Sequence, residues 1–219
     1  MEEAVSATSG TSVGNLNLVP RGKPKQLRAH VAFERILTAT AELICELGID
    51  RITTIQVAER AKVNVSTLYR YFPNKYALVT YLAQQLSERQ NAAVNDYLAA
   101  VDPSLPWEQV LDGIVDAMVG VSRKEVAFVP LQRALMAVPE LREEYRRSSE
   151  DVSELLTEFL RRWGIALPPT RARLIVTCMG ECSAGLLDLA VSGDLPYDDD
   201  VVSELKRVFR GYVKTYIES

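Results

Sequence analysis

The sequence predicts an all-α protein of about nine helices, with a three-helix unit near the N-terminus followed by a larger helical half. Three observations lead there. Apolar residues recur at i, i+3, i+4 spacing from about residue 28 almost to the end of the chain. No stretch alternates apolar and polar residues as a half-buried strand does, and proline or glycine punctuates the periodic segments.

The first helix is expected over residues 28–47, with Val31, Ala32, Ile36, Leu37, Ala39, Thr40, Leu43, Ile44 and Leu47 facing inward. Gly48 ends it by supplying the left-handed conformation of a C-terminal cap. Thr53 or Thr54 can cap a short second helix, Ile55 to Ala61. Lys62-Val63-Asn64 then makes a tight connection, and Asn64 caps a third helix from Val65 to Tyr71. Pro73 closes that helix, and Asn74 caps a fourth that runs to about Leu98. Beyond Asp102-Pro103 and Leu105-Pro106, helical patterns recur at roughly 106–122, 125–136, 139–164, 168–192 and 198–217. They are separated by Pro130, Pro139, Gly164, Pro168-Pro169, Gly193 and Pro196.

Charge divides the chain more sharply than composition does. Among 219 residues, 47% hydrophobic and 25% charged, the net charge is -4. Ten Lys/Arg against five Asp/Glu give residues 20–80 a charge of +5, while fifteen bases against twenty-two acids leave residues 81–219 at -7. A basic module that meets a polyanion, joined to an acidic and more apolar one, is the pattern. Residues 1–20 are rich in Ser, Thr, Gly and Asn without periodicity and read as a disordered tail, followed by a short basic arm of Arg21, Lys23, Lys25 and Arg28. The organisation is therefore a tail and arm over 1–24, a compact basic domain over 25–80 and a helical domain over 81–219.

Several chemistries are disfavoured. One histidine, His30, and three cysteines, Cys45, Cys178 and Cys182, form neither a metal-ligand spacing nor a disulfide framework. No nucleophile triad, phosphate loop or dinucleotide fingerprint is present, so neither catalysis nor a cofactor is expected. Glu143-Glu144 and Asp198-Asp199-Asp200 read as solvated helix faces or caps. No uninterrupted apolar run of membrane-spanning length and no basic-then-apolar leader occur, so a cytoplasmic protein is expected.

Two short helices joined by a three- or four-residue turn have the layout of a helix-turn-helix. Ala58 and Ala61 are small where the helices must cross, and Ile55, Val57, Val63, Leu68 and Phe72 supply the core that locks their angle. Val65, Ser66, Thr67, Tyr69, Arg70 and Tyr71 lie on the opposite face as groups that can approach a groove, although core packing competes for Tyr69 and Tyr71. The run from Thr53 through Tyr69-Arg70-Tyr71-Phe72-Pro73-Asn74 to Lys75 resembles the signature of the tetracycline-repressor (TetR) family over about residues 28–80. It departs at two glycine positions, occupied here by Lys62 in the turn and Ser66 in the second helix.

That resemblance implies a sequence-specific regulator, most simply a repressor, that binds an inverted-repeat DNA duplex as a homodimer. It assigns Thr54, Asn64, Thr67, Tyr69, Tyr71 and Lys75 to the phosphate backbone, and Val65, Ser66 and Arg70 to base reading. It also implies a small-molecule effector held in the C-terminal half. Candidate walls for a lipophilic effector are Trp107, Met118, Phe128, Leu131, Phe159 and Trp163, with Cys178 and Glu181 facing in from a helix that is apolar nearly all round. Glu181 must find an arginine such as Arg171 or Arg173, a partner subunit or a ligand. The small residues Gly180, Ser183, Ala184 and Gly185, together with the last helix, suit a subunit interface. The alternatives are an effector-independent architectural DNA-binding protein and an enzyme or carrier that borrowed the fold.

Overall fold

A computed structural model of the chain describes residues 16–142, 157–161, 167–193, 196 and 198–217. The main elements are α1 (Leu27–Arg51), α2 (Thr54–Arg60), α3 (Val65–Tyr71), α4 (Lys75–Ala100), α5 (Trp107–Lys124), α6 (Phe128–Ala137), α7 (Pro169–Val191) and α8 (Asp198–Ile217). No strand occurs among the described residues. Of the helix expected over 139–164, the described pieces 139–142 and 157–161 are helical.

Local chemistry accounts for the boundaries. Gly48 adopts φ 72° and interrupts α1, leaving a last turn at Ile49–Arg51. Thr53 starts α2 with a reciprocal capping box: its side chain accepts from the Gln56 N–H while the Gln56 carboxamide accepts from the Thr53 N–H at 2.8 Å. Asn64 caps α3 through the Ser66 N–H, and Asn74 caps α4 through the Ala77 N–H. Pro130, expected to separate helices, instead sits in the first turn of α6, where its missing N–H leaves no hydrogen bond unmade.

One continuous apolar core runs from Phe33 on α1 to Val213 on α8. α4 crosses residue 80, where the charge pattern divides the chain, and packs along α5. Phe33 is the hub of the N-terminal part. Its ring stacks on Phe72 with centroids 5.2 Å apart and meets Tyr71 and Tyr81 edge-on at 5.2 and 5.4 Å. Phe33 therefore fills the place expected of Val31, which is exposed because it lies on the outer side of α1. Ile55 also departs from expectation. It is 55% exposed, and Ile52, one turn earlier, is buried in its stead beside Val57, Ala58, Leu68 and Phe72.

α7 and α8 are each buried on one face only. Ala172, Ile175, Val176, Ser183, Ala184, Leu187 and Ala190 of α7 turn inward, as do Val201, Val202, Leu205, Phe209 and Val213 of α8. α8 is tied to α5 by three ion pairs: Arg123 to Asp199 at 2.7 Å, Lys206 to Asp116 at 2.6 Å and Arg210 to Asp112 at 3.3 Å. α7 is long and apolar enough to cross a membrane by length and composition, but it packs against α5, α6 and α8 within the bundle.

Candidate nucleic-acid interface

α2 and α3 cross at two buried alanines, Ala58 and Ala61, and the turn between them has a defined form. The Lys62 N–H donates to Glu59 O and the Val63 N–H to Ala58 O, both at 3.0 Å, which is the paired bonding of a Schellman cap. Lys62 occupies the left-handed position with φ 53°, a conformation that glycine adopts without steric penalty. The turn thus keeps its geometry without glycine, and Arg35 supports it by donating to Lys62 O at 3.3 Å.

With that angle set, α3 presents Ser66, Tyr69 and Arg70 outward at i, i+3, i+4 spacing. The Tyr69 hydroxyl is paired with the Thr54 hydroxyl at 2.8 Å, which joins the start of α2 to the exposed face of α3. The Ser66 hydroxyl donates to Asn64 Oδ1 at 2.8 Å, so the capping residue also orients it. Val65 and Thr67 are half-buried on the flanks of this face. The face carries short hydroxyls, one planar ring and one guanidinium, groups that donate to phosphate and to the acceptors of base edges.

Two of the residues expected at the phosphate backbone have partners within the protein. Tyr71 is 5% exposed, and its ring packs edge-on against Phe33 in the core of the domain. The Lys75 ammonium donates to the carbonyls of Ile49, Asp50 and Ile52 at 2.7, 3.1 and 3.2 Å. All three of its N–H groups are thereby engaged with carbonyls at the end of α1, which it caps.

A signature covering α1 to the start of α4 and an apolar helical half together point to one family. Residues 36–82 match the model of bacterial regulatory proteins of the tetR family, and residues 106–212 match the tetracyclin repressor-like C-terminal domain. The chain belongs to the TetR family. Curated relatives named as HTH-type or tetracycline repressors match over short stretches. The repressor KstR of Rhodococcus jostii is 43% identical over 63 residues, covering 28% of this chain and 30% of the relative. The class G tetracycline repressor of Vibrio anguillarum is 40% identical over 60 residues, covering 27% and 29%. These matches span less than a third of the relatives' own length. A TetR-family regulator from Streptomyces coelicolor superposes with a TM-score of 0.64 and 27% identity, over 84% of this chain and 99% of that one.

The candidate effector residues separate into two groups. Phe128, Leu131 and Phe159 are buried in the common core, with Trp107 and Met118 packed against it, while Trp163 lies outside the described residues. Cys178 is exposed on the outer face of α7 and does not face inward as expected, because the inward positions of that turn are held by Ile175 and Val176. Glu181 accepts from Arg142 at 2.6 Å. Arg171, offered as its partner by the sequence, instead donates to the Tyr216 hydroxyl at 3.0 Å.

Proposed function

We propose that this TetR-family chain is a homodimeric, sequence-specific DNA-binding repressor whose affinity for its operator is lowered by a small lipophilic molecule held in the C-terminal half. The observation that carries the DNA-binding part is the outward face of α3, with Ser66, Tyr69 and Arg70 exposed side by side on a helix capped at its start and locked at its crossing with α2. Named repressors among the relatives support the sign of regulation.

Dimerisation is supported by the uncovered faces of α7 and α8. Leu174, Cys178, Cys182, Gly185 and Leu189 follow one another along the exposed side of α7, and Val208 and Gly211 do so on α8. Gly185 and Gly211 have open space where a Cβ would stand, which lets a second pair of helices approach closely. Trp107, Met118, Phe128, Leu131 and Phe159 are the proposed walls of the effector site. An effector that binds the DNA-incompetent spacing better, by about 1–3 kcal/mol, is enough to couple the two sites.

Selection of duplexes from a random-sequence pool, followed by equilibrium titration and sedimentation, tests this reading. Two half-sites in inverted repeat, about one helical turn or roughly 34–36 Å apart and bound by a two-fold dimer, are the expected result. Equal binding to every duplex would overturn it. A thermal-shift screen of lipophilic compounds then identifies ligands that raise the melting point and release the selected duplex.

A further inference from the structure

The residues ahead of α1 look, in sequence, like a basic arm free to reach DNA. In the structure Arg21 is engaged with the end of α3. Its backbone N–H donates to Tyr71 O at 2.8 Å, and its guanidinium Nη1 donates to Tyr69 O at 3.0 Å. Two more anchors hold the same segment: the Asn74 carboxamide donates to Asn17 O at 2.9 Å, and Leu18 is half-buried against the core.

α3 needs such support. With seven residues it is far shorter than a helix that sustains itself in water, and its last carbonyls have no partner within the helix. The Phe72 N–H serves Leu68 O. Arg21 serves Tyr69 O and Tyr71 O, and it brings a positive charge to the negative end of the helix. The contacts fall on backbone oxygens, so the outward side chains of Ser66, Tyr69 and Arg70 stay exposed.

We propose that residues 17–21 form a strap that holds the base-reading helix at a fixed angle against α4, with Arg21 as a positioning residue and not a DNA contact. The proposal rests on the DNA-binding reading above. It separates Arg21 from Lys23, Lys25 and Arg28, which share its charge but not its contacts with α3. Removing the guanidinium leaves Tyr69 O without its partner and loosens the C-terminal turn of α3, so the penalty falls on binding that requires Tyr69 and Arg70 to be in register with particular bases. Binding through nonspecific phosphate attraction is spared.

The test uses the full chain and two probes, the tightest duplex recovered from a random pool and a random-sequence duplex of equal length. R21A, checked for unchanged helical content by circular dichroism, is expected to bind the selected duplex about tenfold more weakly, the size of one charge-assisted hydrogen bond. Its affinity for the random duplex and the salt slope should stay unchanged. R21K, which keeps a cationic donor, should recover about half of that loss on a logarithmic scale. If R21A instead weakens both duplexes alike and lowers the slope of log K against log salt by about 0.9, Arg21 is a phosphate contact and the proposal is wrong. No effect on either duplex also overturns it. These outcomes differ from failure of the DNA-binding reading itself, in which the unaltered chain enriches no sequence at all.

Discussion

The ammonium of Lys75 donates to the carbonyl oxygen of Ile49 at 2.7 Å and so joins the first residue of α4 to the last turn of α1. α4 continues into the C-terminal half, so this contact is one of the places where the two parts of the chain are tied together. Lys75→Ala should lower the stability of the fold by about 2–3 kcal/mol, in the range of a hydrogen-bonded charge, measured as a shift of the urea midpoint. At temperatures where both proteins are folded, the salt slope of DNA binding should not change. A slope reduced by about 0.9 would mean that Lys75 leaves the carbonyls for a phosphate.

Lys62→Gly should stabilise the protein. The lysine backbone is held at φ 53°, and glycine removes that penalty of about 1–2 kcal/mol while adding freedom to the unfolded chain, for a net gain of about 0.5–1 kcal/mol. Thermal unfolding by circular dichroism reads the sign directly.

Arg70→Ala and Ser66→Ala should relax preference at particular base pairs, each by about 1–3 kcal/mol, with little effect on random duplexes. Titrations against single-base variants of the selected duplex would show the lost discrimination at one or two positions per half-site. A uniform loss at every position would assign these residues to the backbone.

Gly113 lies under the ring of Tyr97. A Cβ built there would stand 2.1 Å from Tyr97 Cζ and Oη, so Gly113→Ala must push the ring outward from the α4–α5 contact. Overpacking of this kind costs about 1–3 kcal/mol. Because the obstructing atoms are all from one side chain, Tyr97→Ala combined with Gly113→Ala should show a coupling that removes most of the glycine effect, read from a double-mutant cycle of denaturant midpoints.

Arg60 of α2 pairs with Glu46 at 2.8 Å and Glu42 at 3.2 Å on α1. The hydrogen bond from Arg60 holds the Glu46 carboxyl below its ordinary value of 4.5. A carboxylate with a depressed value in the folded state contributes above the unfolded value, and that contribution fades as pH falls through the folded one. Wild type should therefore lose part of its melting-point advantage over Glu46→Gln as pH drops from neutral to below 4, whereas a constant gap across that range would contradict the pairing.

Much of the DNA-binding unit was legible in the residue order because its signals are local. Thr53, Asn64 and Asn74 are capping residues that act within three positions of themselves, and Gly48 takes a positive φ that its lack of a side chain permits. The i, i+3, i+4 repeat told helix from strand throughout and placed α4, α5, α7 and α8 within a few residues of their ends. The outward set Ser66, Tyr69 and Arg70 was within reach for the same reason, since one helical face is a matter of spacing.

What the sequence by itself determined, then, was the helical class, the helix-turn-helix and the family, all of which depend on residues a few positions apart. The tertiary structure decided which charged and aromatic groups were available to do anything. Lys75 is occupied by carbonyls some twenty-five residues earlier, Tyr71 by Phe33, Glu181 by Arg142 and the end of α3 by Arg21. Each of these side chains has the composition of a surface ligand. Its partner lies far along the chain, and a long flexible side chain goes to whichever opposite charge or unpaired carbonyl the packing brings within hydrogen-bond reach.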